Sequence, residues 1–252
     1  MSKIYFVMPA YNEEENIGFT IGCWYRVVEE LHAQGVDARL VVANDGSKDN
    51  TFSIMERLRA EHPLYEPLDK PNTGHGATVL YLYRYALVHG ADYVFQTDSD
   101  GQTIPDEFWQ MWRNRENYDF QIGHRTGRQD GFSRVLVTKT LRLVVWLMFR
   151  EWVVDANTPF RLMRADKLQE VMRVIPEEYN LCNVAISVIG AKWKYKIAWP
   201  RITFKPRQGG VNSINMKRIF RIGRKALGDF REINRNLQNT SRVEEGNRTI
   251  GD

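Results

Sequence analysis

Residues Ala91–Gln102 of this 252-residue chain, ADYVFQTDSDGQ, combine a short apolar run with two carboxylates and a glycine. Tyr93 to Phe95 favour a β-strand, and Asp98 and Asp100 follow at its carboxyl end. Residues i and i+2 of extended backbone point to one side, and two carboxylates there repel each other unless a cation neutralises them. Oxygen ligands of this kind suit Mg²⁺ or Mn²⁺ when a phosphate completes the shell. An isolated Asp-x-Asp is short, so an acidic turn that caps the next helix is the alternative.

Strand and helix patterns alternate on the amino-terminal side of this stretch. The predicted strands are Lys3–Met8, Ala38–Ala43, Tyr65–Leu68 and the one that begins at Ala91. The predicted helices lie between them and end near Leu31, Ala60 and His89, and the first opens at Tyr11–Asn16 with acids in its first turn. This alternation predicts an α/β fold with a right-handed, mostly parallel, doubly wound sheet. Ligands of such sheets bind at the strands' carboxyl ends, where Asn12–Glu15, Asn44–Ser47 and Asp98–Gln102 are expected to converge.

The pattern changes after residue 102. The expected elements are a helix at Pro105–Arg115, a strand at Tyr118–Gly123, a long helix at Ser133–Arg150, a strand at Thr158–Arg164, helices at Ala165–Val174 and Asn180–Gly190, a strand at Lys194–Lys205 and a basic helix at Lys217–Asn236. The polar residues 237–252 are expected to form a disordered tail. No linker rich in Pro, Gly or Ser divides the chain, so a single domain is expected over residues 1–236.

Composition limits the functional classes. The chain is 43% hydrophobic and carries a net charge of +4. Ten Lys/Arg and two Asp/Glu lie between Arg201 and Arg235, a local balance of +8, which predicts an anionic partner such as phosphate or phospholipid head groups. No recognition motif supports nucleic-acid binding. Cys23 and Cys182 fit no metal spacing and suit a reducing compartment. No signal peptide or membrane-spanning segment is expected.

Four motifs follow one another along the chain. They are Met8-Pro9-Ala10-Tyr11-Asn12-Glu13, Asn44-Asp45-Gly46-Ser47-x-Asp49-x-Thr51, Asn72-x-Gly74-x-Gly76-Ala77 and Asp98-x-Asp100-Gly101-Gln102. In order and spacing they resemble family 2 glycosyltransferases, which implies the nucleotide-sugar-binding GT-A fold over about residues 3 to 210. The chain looks most like the branch with dolichol-phosphate mannosyltransferases and bacterial polyprenol-phosphate glycosyltransferases, in the forms without transmembrane helices.

The resemblance assigns residues 1–102 to a nucleoside-diphosphate sugar donor. Pro9 and Tyr11 shape the base site, Asp45 accepts hydrogen bonds from the base or ribose, and Glu13 does so from the ribose. The full donor set is Pro9, Tyr11, Glu13, Asn44, Asp45, Gly74, Gly76, Asp98 and Arg207. The two glycines let backbone approach the donor, whereas Asp98, Asp100 and Gln102 hold the Mg²⁺ or Mn²⁺ that bridges the diphosphate. The alternatives are a turn with a helix cap at residues 44–47 and a helix-start turn at the glycines.

Residues 103–236 are expected to hold the acceptor. The resemblance gives Arg125 a catalytic role and assigns Arg125, Arg134 and Thr138 to the acceptor phosphate; Arg134 and Thr138 are four residues apart on one predicted helix face. Arg207 is expected to close over the diphosphate. The alternative for each arginine is a solvated surface charge. In the family's Asp-x-x-(Ser/Thr)-Gly-Phe-Arg motif, here Asp155–Arg161, Pro159 replaces Gly and stiffens the backbone.

Asp155 leaves two acceptors open. A sugar or glycan hydroxyl needs a base to remove its proton, which would be Asp155. A polyprenyl phosphate is already anionic, and Asp155 would then orient Arg125, Arg161 or the metal shell. Inverting transfer to polyprenyl phosphate leads, with transfer to a glycan hydroxyl second and a non-catalytic nucleotide-binding membrane scaffold third.

Two basic, apolar helices are expected to touch a membrane. Arg134–Arg150 and Lys217–Arg235 combine cations with apolar residues, as interfacial helices do. The protein is therefore predicted to be peripheral on the cytoplasmic face of a membrane. The alternative is that each helix packs its apolar side on the core.

Overall fold

The computed structural model of this chain describes residues 1–126, 143–205, 228 and 230–237. Its main sheet has seven strands in the order β3-β2-β1-β4-β7-β5-β8, and β6 and β9 form a second, two-stranded sheet. The strands are β1 (Lys3–Ala10), β2 (Asp37–Asp45), β3 (Tyr65–Lys70), β4 (Tyr93–Gln96), β5 (Phe120–Ile122), β6 (His124–Thr126), β7 (Arg161–Arg164), β8 (Ile197–Ala198) and β9 (Arg201–Thr203). β1 to β4 run parallel, and β7 is antiparallel to both neighbours. The predicted mostly parallel α/β sheet is confirmed.

Helices cover both faces of the main sheet. They are α1 (Ile17–Ala33), α2 (Thr51–Arg59), α3 (His75–Val88), α4 (Phe108–Arg113), α5 (143–149), α6 (Ala165–Met172), α7 (Cys182–Lys192) and α8 (230–237). β1 sends Phe6 into a core with Trp24 of α1 and Val7 into a second core with Leu80 of α3. Because both faces are buried, β1 reads as one continuous apolar run. None of the helices in the described ranges is long and apolar enough to cross a membrane.

The predicted start of the first helix is wrong. α1 begins at Ile17 and has no acidic residue in its first turn. Asn12 has a φ of +52°, which a right-handed helix does not allow. The backbone N–H of Glu13 donates instead to Thr51 Oγ1 at 2.8 Å. Residues 11–16 thus form a loop that is tied to the start of α2.

The predicted strand at Lys194–Lys205 is two short strands. β8 pairs with β5 in the main sheet, and β9 pairs with β6 in the small one. Both partners are interrupted at matching points, at Gly123 between β5 and β6 and at Pro200 between β8 and β9. The two paired chain segments therefore leave the main sheet at this point. The backbone N–H of His124 donates to Pro200 O at 2.8 Å.

Three predicted segments lie partly or wholly outside the described residues. Only residues 143–149 of the predicted helix Ser133–Arg150 are described as helical. Only 228 and 230–237 are described within or next to the predicted basic helix Lys217–Asn236. Leu237, expected to begin the tail, is helical and buried, whereas 238–252 lie outside the described residues.

Candidate active site

A cleft of about 420 Å³ opens where β1, β2 and β4 end. It is lined by Pro9, Ala10, Tyr11, Glu13, Asp45, Asn72, Gly74, His75, Asp98, Ser99 and Asp100. All four sequence motifs thus contribute to one site, because the carboxyl ends of neighbouring parallel strands share an edge of the sheet. Four carboxylates (Glu13, Asp45, Asp98 and Asp100) face a single small volume, which gives the site strong attraction for cations.

Asp45 is the anchor of the loop between β3 and α3. Its Oδ1 accepts from Lys70 Nζ at 2.6 Å and from Thr73 N at 2.9 Å, and its Oδ2 accepts from Gly74 N at 2.9 Å. Its side chain is only 4% exposed. Burial alone would raise the pKa of Asp45, but the hydrogen bonds from Lys70 and Thr73 outweigh it and lower the pKa. Asp45 is therefore a fixed anion at the back of the cleft.

Asn44, next to it, makes contacts within the protein. Its Nδ2 donates to Asp69 Oδ1 at 2.7 Å, and its Oδ1 accepts from Ser47 N at 3.2 Å. The side chain is buried and is not among the residues that line the cleft. Its predicted contact with the donor stays a prediction.

The loops after β1 and β2 are joined by reciprocal hydrogen bonds. Asn12 N donates to Ser47 Oγ at 3.0 Å, and Lys48 N donates to Asn12 Oδ1 at 2.8 Å. These two bonds hold Asn12 in its left-handed conformation, which costs free energy for a residue other than glycine. Tyr11, immediately before it, is 43% exposed and lines the cleft. The joined loops thus fix an exposed aromatic ring beside the cavity.

The two glycines of the third motif are needed for different structural reasons. Gly74 has a φ of +92°, a conformation that L side chains rarely adopt, and it lines the cleft. A Cβ on Gly76 would lie 2.3 Å from the carbonyl oxygens of Tyr179 and Asn180. Among the described residues, Gly76 is not part of the cleft lining. The structure therefore shows Gly76 making room for the chain at 179–180 rather than for the cavity.

Asp98 and Asp100 both reach the cleft from the loop after β4. Thr97, between strand and loop, is fully buried, and its N–H donates to Val7 O at 3.1 Å. Asp98 Oδ1 lies 3.0 Å from His75 Nε2, and Asp100 Oδ1 accepts from Gln102 N at 3.2 Å. Gln102 turns its amide outward, where Nε2 donates to Lys205 O at 2.7 Å.

The donor set fits a hard divalent cation in one way. Within the described ranges, no three His, Cys, Asp or Glu side chains are grouped so that they could hold a metal ion by themselves. Two carboxylates on one cleft wall suit Mg²⁺ or Mn²⁺ when ligand phosphates supply the remaining oxygens. The residues present therefore fit a cation that arrives with a diphosphate.

The negative charge of the cleft wall acts on the imidazole of His75. Burial disfavours the imidazolium, but the carboxylates of Asp98, Asp100 and Asp45 outweigh it and raise the pKa of His75. The imidazole side chain is about half exposed. The carboxylates around His75 therefore favour positive charge at this wall of the cleft.

Arg125 and Asp155 form a buried ion pair beside the small sheet. Arg125 Nε donates to Asp155 Oδ2 at 2.9 Å, and Nη2 donates to Oδ1 at 2.7 Å. The side chains are 9% and 6% exposed. Burial tends to raise the pKa of Asp155, yet the hydrogen bonds and charge of Arg125 prevail and lower the pKa. Both carboxylate oxygens are therefore engaged by one guanidinium.

Arg161 organises the loop that carries Asp155. Its guanidinium is completely buried and donates to Thr158 O and Ala156 O, each at 2.7 Å, and to Ser187 Oγ at 3.1 Å. These acceptors lie on the loop and on α7, so Arg161 joins β7 to both. A buried guanidinium needs such partners because an unpaired charge in the core is costly. Arg161, the last residue of the Asp155–Arg161 motif, thus has a structural role.

The family model described as "Glycosyl transferase family 2" matches residues 5–172. The chain belongs to this family. As a family 2 glycosyltransferase it is 26% identical over 215 residues to a UDP-N-acetylglucosamine--dolichyl-phosphate N-acetylglucosaminyltransferase of Methanococcus voltae, covering 77% of this chain and 82% of that one. It is 22% identical over 226 residues to a polyprenol monophosphomannose synthase of Mycolicibacterium smegmatis, covering 84% and 81%. The predicted family and enzyme class are confirmed.

Solved structures show the same fold. Glucosyl-3-phosphoglycerate synthase of Mycobacterium tuberculosis with phosphoglyceric acid superposes on the glycosyltransferase with a TM-score of 0.67 at 17% identity, covering 92% of this chain and 80% of that one. The same synthase with Mn²⁺, UDP and glucosyl-3-phosphoglycerate gives a TM-score of 0.64 at 17% identity, covering 94% and 79%. The GT-A fold expected from the four motifs is confirmed.

Several residues at the site of the glycosyltransferase were not predicted to bind the donor or metal: the cleft-lining residues Ala10, Asn72, His75 and Ser99, and Lys70, which contacts Asp45. His75 occupies the unspecified position between two motif glycines, and Lys70 ends an edge strand. Lys70 Nζ donates to Thr73 Oγ1 at 2.7 Å and Pro71 O at 2.8 Å, besides Asp45. A cation four residues before Gly74 could have indicated a partner for Asp45. Arg134, Thr138 and Arg207 lie outside the described residues, and their roles stay predictions.

Proposed function

We propose that this glycosyltransferase moves a sugar, with inversion, from a nucleoside-diphosphate sugar to a polyprenyl phosphate. The proposal for the donor is supported by the cleft, since its aromatic wall at Tyr11 and its carboxylates at Asp45 and Asp98 suit a base, a ribose and a metal-bound diphosphate. Relatives that act on lipid phosphates support the acceptor class.

Asp98 and Asp100, which line the cleft, would hold Mg²⁺ or Mn²⁺. Gln102 would be a third ligand only if its amide left Lys205 O, to which it donates in this structure. When bound, the cation supplies Lewis-acid neutralisation of the departing diphosphate. The chain's own residues do the rest: Asp45 and Lys70 hold the Gly74 loop in place, and the bonds between the loops after β1 and β2 fix Tyr11. Because these loops are already held in place, less conformational entropy is lost when the donor binds.

The observation that favours a phosphate acceptor is the pair of Arg125 and Asp155. A hydroxyl acceptor needs a base that takes its proton. Asp155 is 6% exposed, its two oxygens accept from Arg125, and its pKa is lowered, so it has little affinity for a proton. A phosphate brings its own negative charge and needs no base. Arg125 donates through Nε and Nη2 to Asp155, which holds it in one orientation, and its other guanidinium N–H groups would bind the phosphate oxygens.

The surface around α5 supports a membrane location for this acceptor. Val145 and Phe149 of α5 are buried, whereas Leu147 on the same helix is 53% exposed and Trp152, just beyond it, is 70% exposed. Large apolar side chains that stay exposed together mark a surface for a partner or a membrane. Tryptophan side chains suit the lipid–water interface. We place the enzyme on the cytoplasmic face, where the free thiols Cys23 and Cys182 remain reduced.

The test is incubation of the protein with radiolabelled UDP-, GDP-, CDP- and dTDP-sugars, Mn²⁺ and either polyprenyl phosphate or a free sugar or glycan, followed by solvent extraction. A lipid-soluble labelled product is expected with one donor class, and Asp100→Asn should abolish it. Label that enters only a free sugar or glycan would make the acceptor a hydroxyl. Cellular function that survives Asp100→Asn unchanged would favour the non-catalytic scaffold.

A further inference from the structure

His75 is the one imidazole among the described residues that line the cleft. Its Nε2 lies 3.0 Å from Asp98 Oδ1, a hydrogen-bond distance. It is the first residue of α3, whereas Asp98 follows β4, so the contact joins two elements that are distant in sequence. Neither the sequence motifs nor the proposed reaction gives this side chain a role.

The backbone on both sides of His75 is constrained. Gly74 has a φ of +92°, and its N–H donates to Asp45 Oδ2 at 2.9 Å. Gly76 packs so closely against carbonyl oxygens at residues 179 and 180 that a Cβ would lie 2.3 Å from them. His75 is therefore presented to the cleft by a rigid turn. A positioning residue must be held rigidly, because a displacement of about 1 Å is enough to abolish its effect.

We propose that His75 is a positioning residue that holds the Asp98 carboxylate in the orientation in which it takes a divalent cation. The inference rests on the proposed metal role of Asp98 and Asp100. The contact occupies one carboxylate oxygen of Asp98, and each such oxygen has two lone pairs. The imidazole and a cation thus do not compete for the same electrons. Ligating carboxylates depend on such partners, whose loss typically lowers metal affinity about 10–100-fold.

Mn²⁺ affinity at fixed pH is the readout, measured by the electron paramagnetic resonance of free Mn²⁺ with UDP or GDP present, whichever the wild type binds more tightly. The variants are His75→Ala, His75→Gln, Asp98→Asn and the control His32→Ala, an exposed imidazole on α1. Binding of the same nucleotide without metal is measured by calorimetry. His75→Leu keeps the side-chain volume and replaces His75→Ala if that variant does not fold.

His75→Ala should weaken Mn²⁺ binding about 10–100-fold, and His75→Gln, whose amide can donate to the same oxygen, should weaken it less. His32→Ala and metal-free nucleotide binding should be unchanged. Unchanged or tighter Mn²⁺ binding by His75→Ala, with weaker binding by Asp98→Asn, would overturn the inference alone. An equal loss of metal-free nucleotide binding would make His75 a direct nucleotide contact instead. Unchanged Mn²⁺ binding by Asp98→Asn would overturn the proposed metal site itself.

Discussion

Replacing Asp155 with Asn tests the buried ion pair on which the acceptor proposal depends. The variant keeps the shape of the side chain but removes its charge and turns an amide NH₂ toward one of the Arg125 donors. Arg125 then stays in place with a buried, unpaired charge. The pair is bidentate, at 2.9 and 2.7 Å, and 9% and 6% exposed.

The expected loss of unfolding free energy is about 3–5 kcal/mol, the usual cost of removing one partner of a buried pair. The chain provides a matched control in Arg164 and Asp166. That pair is also bidentate, at 3.1 and 3.0 Å, but 42% and 52% exposed. Asp166→Asn should therefore cost about 0.2–1 kcal/mol, as solvent-exposed pairs do.

The pH dependence has a definite sign. The folded-state pKa of Asp155 is lowered, so its stabilisation is fully present above the unfolded pKa of about 3.9. It is lost as pH falls through the lower folded pKa. The difference in unfolding free energy between wild type and Asp155→Asn should thus be constant from pH 7 to 5 and shrink below about pH 4.

Urea unfolding followed by tryptophan fluorescence measures these differences. Wild type, Asp155→Asn and Asp166→Asn are compared at pH 7, 5 and 3.5 or below. The stabilising role of the ion pair would be ruled out if the two variants lose the same unfolding free energy, or if the loss in Asp155→Asn does not change below pH 4. In either case Asp155 would not be a carboxylate held ionised by Arg125, and its role as a base would regain support.

Three further predictions concern the turn, the loops and the surface. Gly76→Ala should lower stability by about 1–3 kcal/mol through overpacking, whereas Gly22→Ala, with nothing within 4 Å, should not; thermal unfolding compares them. Asn12→Ala should weaken nucleotide binding in calorimetry more than Asn12→Gly, because glycine keeps a positive φ without cost; equal losses would contradict this. Trp152→Glu should reduce sedimentation with anionic vesicles, whereas Phe19→Glu, an exposed ring on α1, should not; equal effects would remove the assigned membrane surface.

Local sequence pattern was sufficient to predict the parallel part of the sheet and the edge at which the cleft opens. Strands such as β1 and β2 are buried on both faces, so they appear as unbroken apolar runs that end in polar turns. The sheet edge then brings Glu13, Asp45 and Asp98 together. The sequence did not show that the predicted strand Lys194–Lys205 divides into β8 and β9, because the division depends on how Gly123 and Pro200 are aligned across strands.

Contacts between segments that are distant in the chain could not be predicted from the sequence. The sequence leaves Asp155 open as a base or as an ion-pair partner, because its 2.7 Å contact with Arg125, thirty residues away, forms only in the folded chain. His75 stands at a position that the motif leaves open, and only folding brings it to Asp98. The start of α1 was misplaced because the acids before it suit a first helical turn, whereas hydrogen bonds to the loop after β2 favour a left-handed residue at Asn12.

A phosphate acceptor, which needs no base, distinguishes the proposed reaction from transfer to a hydroxyl. The most direct test of this distinction is transfer from the accepted sugar nucleotide to two lipids of equal chain length, a polyprenyl phosphate and the corresponding polyprenol, with Mn²⁺ and the wild-type protein. A labelled phosphate-linked product and no labelled polyprenol are expected, with residual transfer to the phosphate in Asp155→Asn. Transfer to the polyprenol hydroxyl that Asp155→Asn abolishes would contradict the proposed reaction.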